Sequence, residues 1–196
     1  MRRSIATCLP AALIAGLCAL ASCANPDPVL YTLAAQPGPP AGMERQAPVR
    51  SIELRRVNLA GYLDRPGIVR AATAYRLNVT QDSRWAAPIG PMLDQVIAED
   101  LVIRLPGVAV FTEAGGIATR PDRVLKIDIQ RLDVDPSGDV VVQAQAAVMD
   151  PTNKVPTSLR SFRTVQRPAS QTIEDQVAAM SQAVGALSSD LAQTVR

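Results

Sequence analysis

The feature that most constrains this fold is a run of apolar and polar residues in alternation, followed by regularly spaced turns. Apolar residues alternate with polar ones across residues 125–129, which is typical of a β-strand with one buried face. Turn-forming residues at 136–139 and 150–154 separate this strand from two further predicted strands, residues 140–149 and 159–165. Strands joined by such short turns predict an antiparallel meander.

Two segments have the apolar periodicity of helices. In residues 88–105, apolar side chains recur every three or four positions after a proline suited to a first turn. A second helix is predicted at about residues 173–195, where the apolar positions are Ile173, Val177, Met180, Val184, Leu187 and Leu191. This stripe favours packing on the domain's own sheet, with a coiled-coil seam or a partner surface as the alternative.

Shorter strands are predicted at residues 29–33, 49–59, 75–79 and 108–112. Prolines and glycines in residues 36–42 predict a flexible loop between the first strand and the body. We therefore expect an α+β fold, with a mainly antiparallel sheet and two long helices packed on one face. The single domain spans residues 49–196, and residues 23–48 supply the tether, the short strand and the loop.

The N-terminus has the layout of a cleaved export signal. Two arginines precede an apolar stretch at residues 5–19, which is too short for a transmembrane helix. Leu20-Ala21-Ser22-Cys23 then resembles the lipobox of bacterial lipoproteins, with residues 1–22 as the signal peptide and Cys23 as the site of lipid attachment (diacylglyceryl and acyl groups such as palmitate). Ala24 replaces the aspartate that favours inner-membrane retention, so the resemblance implies the periplasmic face of the outer membrane.

The remaining composition excludes several classes of function. Loss of the 22-residue signal leaves 174 of the 196 residues, and their side chains balance at 18 basic and 18 acidic. The chain contains no histidine, which argues against Ser-His or Cys-His catalysis and against common zinc sites. It has no basic patch for nucleic acid and no glycine-rich phosphate loop. We therefore expect a protein that is not an enzyme and has no metal or cofactor.

Two motifs are candidates for partner contact. Tyr62-Leu63-Asp64-Arg65-Pro66 is either a well-packed turn or a loop that contacts a partner or another copy of the chain. Arg84-Trp85 includes the only tryptophan, for which a core anchor is favoured over a binding hot spot. The acidic residues Asp94, Glu99 and Asp100 are expected on a solvated helix face.

The sequence at residues 59–70, Leu-Ala-Gly-Tyr-Leu-Asp-Arg-Pro-Gly-Ile-Val-Arg, resembles the ABC-type transport auxiliary lipoproteins of the Pqi type. Tyr31-Thr32-Leu33, Arg84-Trp85-Ala86 and Ala178-Ala179-Met180 occur in that family's order. The resemblance implies an outer-membrane lipoprotein that works with a mammalian-cell-entry-domain tunnel protein and, indirectly, with an ABC permease and ATPase. Such systems move lipids or other hydrophobic molecules between the two membranes.

Two further functions are alternatives from the sequence alone. One is a structural or assembly lipoprotein that supports an outer-membrane or cell-wall protein complex through surface contacts. The other, less favoured, is a periplasmic enzyme that uses only carboxylates. The sequence leaves the transported cargo open, and it also leaves open whether copies of the chain form a homo-oligomer.

Overall fold

The computed structural model describes residues 27–40, 49–116, 119–152 and 155–195. The predicted signal peptide and Cys23 lie outside these residues. Within them the chain forms two α-helices and nine strands of one sheet. The helices are α1 (Ile89–Arg104) and α2 (Ile173–Thr194), and the strands are β1 (Val29–Tyr31), β2 (Ser51–Leu54), β3 (Asn58–Leu59), β4 (Gly67–Thr73), β5 (Arg76–Trp85), β6 (Ala109–Thr112), β7 (Arg123–Val134), β8 (Val140–Met149) and β9 (Pro156–Gln166).

The predicted meander is confirmed in β7, β8 and β9. Both pairings are antiparallel, with Ile127 opposite Ala146 and Val142 opposite Thr164. The turn between β7 and β8 ends at Gly138, whose φ of 93° lies in the left-handed region that favours glycine. Alternate residues of β8 are buried and exposed through its second half, as the sequence pattern predicts for a sheet with one solvated face.

The expectation of a mainly antiparallel sheet is wrong, because the sheet is mixed. The second edge of β7 pairs in succession with β2, β3 and β4, all parallel, and the β1–β5 and β2–β6 pairings are parallel too. Helix α1 connects β5 to β6. Because the chain passes through this helix before it re-enters the sheet, β6 runs parallel to β2. Among the strands of the described residues, the one antiparallel pair outside the meander is β4 with β5.

Both helices begin and end close to the predicted positions, and their apolar faces join one core with the sheet. Helix α2 packs against β7, β8, β9 and α1. Its predicted stripe from Val177 to Leu191 is buried within the domain, which decides against a coiled-coil seam. The hydroxyl of Thr172 caps α2 by accepting a hydrogen bond from the Asp175 backbone N–H at 3.2 Å.

The segment after β1 is fixed to the helices. Leu33 is buried, and the backbone N–H groups of Ala34 and Gln36 donate to Ser181 Oγ (3.2 Å) and Asp100 Oδ1 (2.8 Å). Arg104 pairs with Asp100 at 3.0 Å and also donates to the Gln36 carbonyl. The start of the predicted flexible loop is therefore held in place.

The expectation of a solvated acidic face on α1 is wrong for two of its three residues. Glu99 is exposed, but Asp94 is buried and Asp100 is fully buried. Each buried carboxylate accepts a backbone N–H from a segment distant in sequence: Val57 for Asp94 (2.7 Å) and Gln36 for Asp100. Such hydrogen bonds offset part of the cost of removing the charges from water.

Candidate functional site

The predicted contact motif at residues 62–66 forms a short loop between β3 and β4, anchored by one core side chain. Leu63 is 1% exposed, and its N–H donates to the Ala60 carbonyl at 2.8 Å. The Arg65 N–H donates to the Leu63 carbonyl at 2.8 Å, which closes a second tight turn. Asp64, Arg65 and Pro66 are exposed. The motif thus has one residue in the core and three consecutive residues facing solvent.

The second predicted motif lies directly beside this loop. Gly67 pairs with Arg84, and the Trp85 N–H donates to the Pro66 carbonyl at 2.7 Å. Trp85 is 7% exposed and belongs to the core, as the favoured interpretation expects, whereas Arg84 is exposed. We call the exposed residues Asp64, Arg65, Pro66 and Arg84 the candidate docking surface.

Tyr62 connects the loop to the middle of the sheet. Its hydroxyl donates to Asp133 Oδ2 at 2.8 Å, and Arg131 pairs with the same carboxylate at 2.8 Å. Burial, and then the hydrogen bond to Asp133, raise the pKa of the Tyr62 phenol above its ordinary value of 10.0. The hydrogen bond to Asp133 likewise raises the pKa of Arg131. Tyr62 therefore stays a neutral donor, and the Asp133 carboxylate is occupied by two partners.

Sequence analysis did not identify Arg131 and Asp133 as supports of this loop. Asp133 is 2% exposed, next to the equally buried Leu132 and Val134 on β7. The sequence carries part of the signal, since the alternation that is clean at residues 125–129 is interrupted by two adjacent polar residues, Gln130 and Arg131. The alternation did not reveal which residue Asp133 contacts, because Tyr62 lies 71 positions earlier.

Two clefts lie elsewhere on the surface. One, of about 780 Å³, lies on the sheet face away from the helices, where Arg55 is paired with Glu53 and Glu113. The other, of about 680 Å³, lies between α1 and β6 and is lined mainly by apolar residues such as Ala98, Val102 and Val110. Among residues 27–40, 49–116, 119–152 and 155–195, no three potential metal ligands cluster together.

Neither helix in the described part of the chain combines the length and the apolar character needed to cross a membrane.

The sequence of the chain matches the model of one known protein family. The family model for the ABC-type transport auxiliary lipoprotein component matches residues 31–192, which include both predicted motifs, helix α1 and all but the last two residues of α2. The chain belongs to this family. The resemblance inferred from the sequence is thereby confirmed, and with it the general role of the family as an auxiliary lipoprotein component of transport.

Solved structures share the fold of this auxiliary lipoprotein. A DUF330-family protein from Xanthomonas campestris is 20% identical with a TM-score of 0.71, and the match covers 85% of this chain and 93% of that one. The crystal structure of an uncharacterised protein matches at 16% identity and a TM-score of 0.72, covering 87% and 99% of the two chains. At these identities the likeness shows the fold alone. A search of curated protein sequences found no match to this chain.

Proposed function

We propose that this auxiliary lipoprotein is a non-enzymatic component of an ABC-linked, mammalian-cell-entry-type system for intermembrane lipid transport. In this proposal, lipid on Cys23 holds it at the periplasmic face of the outer membrane. The candidate docking surface binds the tunnel protein that spans the periplasm, and the ABC permease and ATPase act through that tunnel. Family membership supports the transport role, and the lipobox sequence supports the anchor.

The observation that carries the proposal is the rigid presentation of charge in the loop. Asp64, Arg65 and Pro66 face solvent, yet Leu63 in the core holds one end and the hydrogen bond from Trp85 holds the other. A loop already fixed in one conformation loses little conformational entropy on binding. Exposed arginines beside a carboxylate also provide directional contacts for a polar partner surface.

Charge reversal tests the docking role directly. In the native host, Arg65→Glu combined with Arg84→Glu should reduce co-purification of the tunnel protein without changing the amount of lipoprotein. Arg163→Glu is the matched control, because Arg163 is also exposed but lies on β9, outside the candidate docking surface. Undiminished recovery of the tunnel protein with the double variant would contradict the role of this surface. If the wild-type lipoprotein co-purifies with other envelope proteins but not with a tunnel protein, a structural or assembly role is favoured.

The anchor is tested separately. We expect mass spectrometry of the purified protein to find a chain that begins at Cys23 and carries diacylglyceryl and acyl groups. Density separation of the membranes should place this chain in the outer-membrane fraction. Cys23→Ser should abolish the modification, while a variant at Ser22 that keeps a small residue, Ser22→Gly, should retain it. An unmodified wild-type chain would refute the anchor without bearing on the docking surface.

A further inference from the structure

The hairpin of β4 and β5 has an unusually exposed tip. Tyr75, in its turn, is 99% exposed, and each residue of β5 from Arg76 to Val79 is exposed as well. Strand β1 pairs with β5 only at Ser83, Arg84 and Trp85, so it does not cover the outer edge of β5 between Arg76 and Asp82. Among the described residues, the part of the hairpin beyond Val69 and Val79 is thus a two-stranded arm outside the core.

One face of this arm is apolar. Leu77 (45% exposed) and Val79 (40% exposed) lie opposite Ala71 and Val69, and directly paired residues share a face of the sheet. Val69 is 4% exposed and belongs to the core, so Val79 and Leu77 extend the apolar face beyond the point where the core ends. No acidic residue occurs from Gly67 to Gln81, and Arg76 follows Tyr75 at the tip. An aromatic residue next to a cation, beside exposed aliphatic side chains, is a combination suited to the interfacial region of a phospholipid membrane.

The position of the arm relative to the proposed anchor is set by the pairing of β1 and β5. These strands are parallel, so the chain that precedes Val29 leaves on the side of the hairpin tip. Six residue steps separate Cys23 from Val29, a reach of at most about 20 Å. The eight residue steps from Ser83 back to Tyr75 span about 26 Å of strand. A lipid on Cys23 would therefore be tethered within about 20 Å of Val29, by a chain that leaves β1 in the direction of the hairpin tip.

We propose that the tip of the β4–β5 hairpin inserts into the phospholipid interface of the membrane that holds the lipid on Cys23. The inference rests on the anchor of the proposed function. Tyr75 and Leu77 enter the headgroup region, and Arg76 contacts phosphate groups. The exposed Val29 and Leu30 lie beside Ser83 and Arg84, at the end of β5 away from the tip. Because the anchor keeps the hairpin beside the bilayer, a weak affinity for lipid suffices.

A single environment-sensitive dye tests this contact. In the lipidated chain the thiol of Cys23 is blocked, so Tyr75→Cys provides a unique site for labelling, and its exposure makes the change harmless to the fold. Leu159→Cys is the matched control, since Leu159 is 73% exposed but lies on β9 at another edge of the sheet. Both proteins are reconstituted into vesicles of phosphatidylethanolamine and phosphatidylglycerol. Flotation and the mass of the acyl groups confirm anchoring in the same samples.

We expect the dye at position 75 to shift its emission to the blue and to resist reduction by dithionite severalfold longer once vesicles are present. The dye at position 159 should keep its aqueous emission. Adding Arg76→Gln should lessen the shielding at position 75 on these vesicles, but not on vesicles of phosphatidylcholine alone.

Three results would overturn the inference. If the protein floats but position 75 remains as accessible as position 159, the anchor stands and the hairpin contact is wrong. If position 75 is already shielded before vesicles are added, a second copy of the chain covers the tip instead. If no acyl groups are found on Cys23, both the anchor and the membrane contact fail.

Discussion

The Trp85 backbone N–H donates a 2.7 Å hydrogen bond to the carbonyl of Pro66, which joins the core of the domain to the end of its exposed loop. Because the Trp85 ring is buried and belongs to the core, this contact ties the loop conformation to core packing. Its consequences for stability and for docking can be separated by substitution.

Trp85→Ala should lower the free energy of unfolding by about 3–5 kcal/mol, because it leaves a large cavity in the core. Urea unfolding followed by circular dichroism measures the change. Tyr75→Ala is the control: with a side chain that is 99% exposed, it should change stability by no more than about 0.5 kcal/mol. An equal loss in both variants would show that Trp85 is not a core anchor.

Tyr62→Phe should cost about 1–2 kcal/mol of stability, since it removes the hydroxyl that donates to the charged Asp133 carboxylate. It should also reduce alkaline unfolding. The folded-state pKa of Tyr62 is raised, so its contribution is complete below the ordinary value of 10.0 and is lost as the pH rises above it. Unfolding curves collected across that range compare the two proteins. Identical alkaline behaviour would contradict the role assigned to the phenol.

Arg104→Met should cost about 3–5 kcal/mol, because it leaves Asp100 buried without its cation. Asp100→Leu combined with Arg104→Met should restore part of that loss, since no charge then remains unpaired. A double-mutant cycle by chemical denaturation measures the coupling. Additive losses from the two single changes would show that the ion pair contributes little beyond its separate contacts.

Asp94→Asn should gain stability relative to the wild type as the pH rises. Burial raises the folded-state pKa of Asp94 above its ordinary value of 3.8. Between these two pKa values the folded chain keeps a proton on Asp94 that the unfolded chain has released. The stability of the wild type therefore falls as the pH rises through this range. Asparagine is neutral throughout and still accepts the Val57 N–H. Melting temperatures of both proteins measured from below pH 3.8 upward test this, and a difference that stays constant over that range would refute it.

The elements that sequence analysis predicted well are those whose partners are close in the chain. The β7–β8–β9 meander follows from local alternation and turns, and α1 and α2 from their periodicity and end signals. Strand β4 was missed because Pro66-Gly67 suggests a turn and the apolar run that follows is short. Parallel pairings such as β2 with β7 join segments about 70 residues apart, so no local pattern indicates them.

In the candidate site, too, local features were predicted and long-range contacts were not. The exposed residues of the loop and the buried Trp85 were identified from their sequence motifs, but the supports of the loop were not. Tyr62 and Asp133 lie on segments that meet only in the folded sheet. The burial of Asp94 and Asp100 was missed for the same reason, since their polarity suggested solvent exposure while distant backbone donors made burial tolerable.

The fastening of residues 33–36 to the helices has a mechanical consequence. If Cys23 carries the proposed lipid anchor, tension on the lipid enters the domain through β1, whose pairing with β5 covers three residues. If the β1–β5 hydrogen bonds break, the force acts on the next contacts along the chain. These are the hydrogen bond from Ala34 to Ser181 and then those that join Gln36 to Asp100 and Arg104. The domain thus resists extraction in two stages: first the three-residue pairing of β1, then the burial of Leu33 together with the hydrogen bonds that hold Ala34 and Gln36 to the helices.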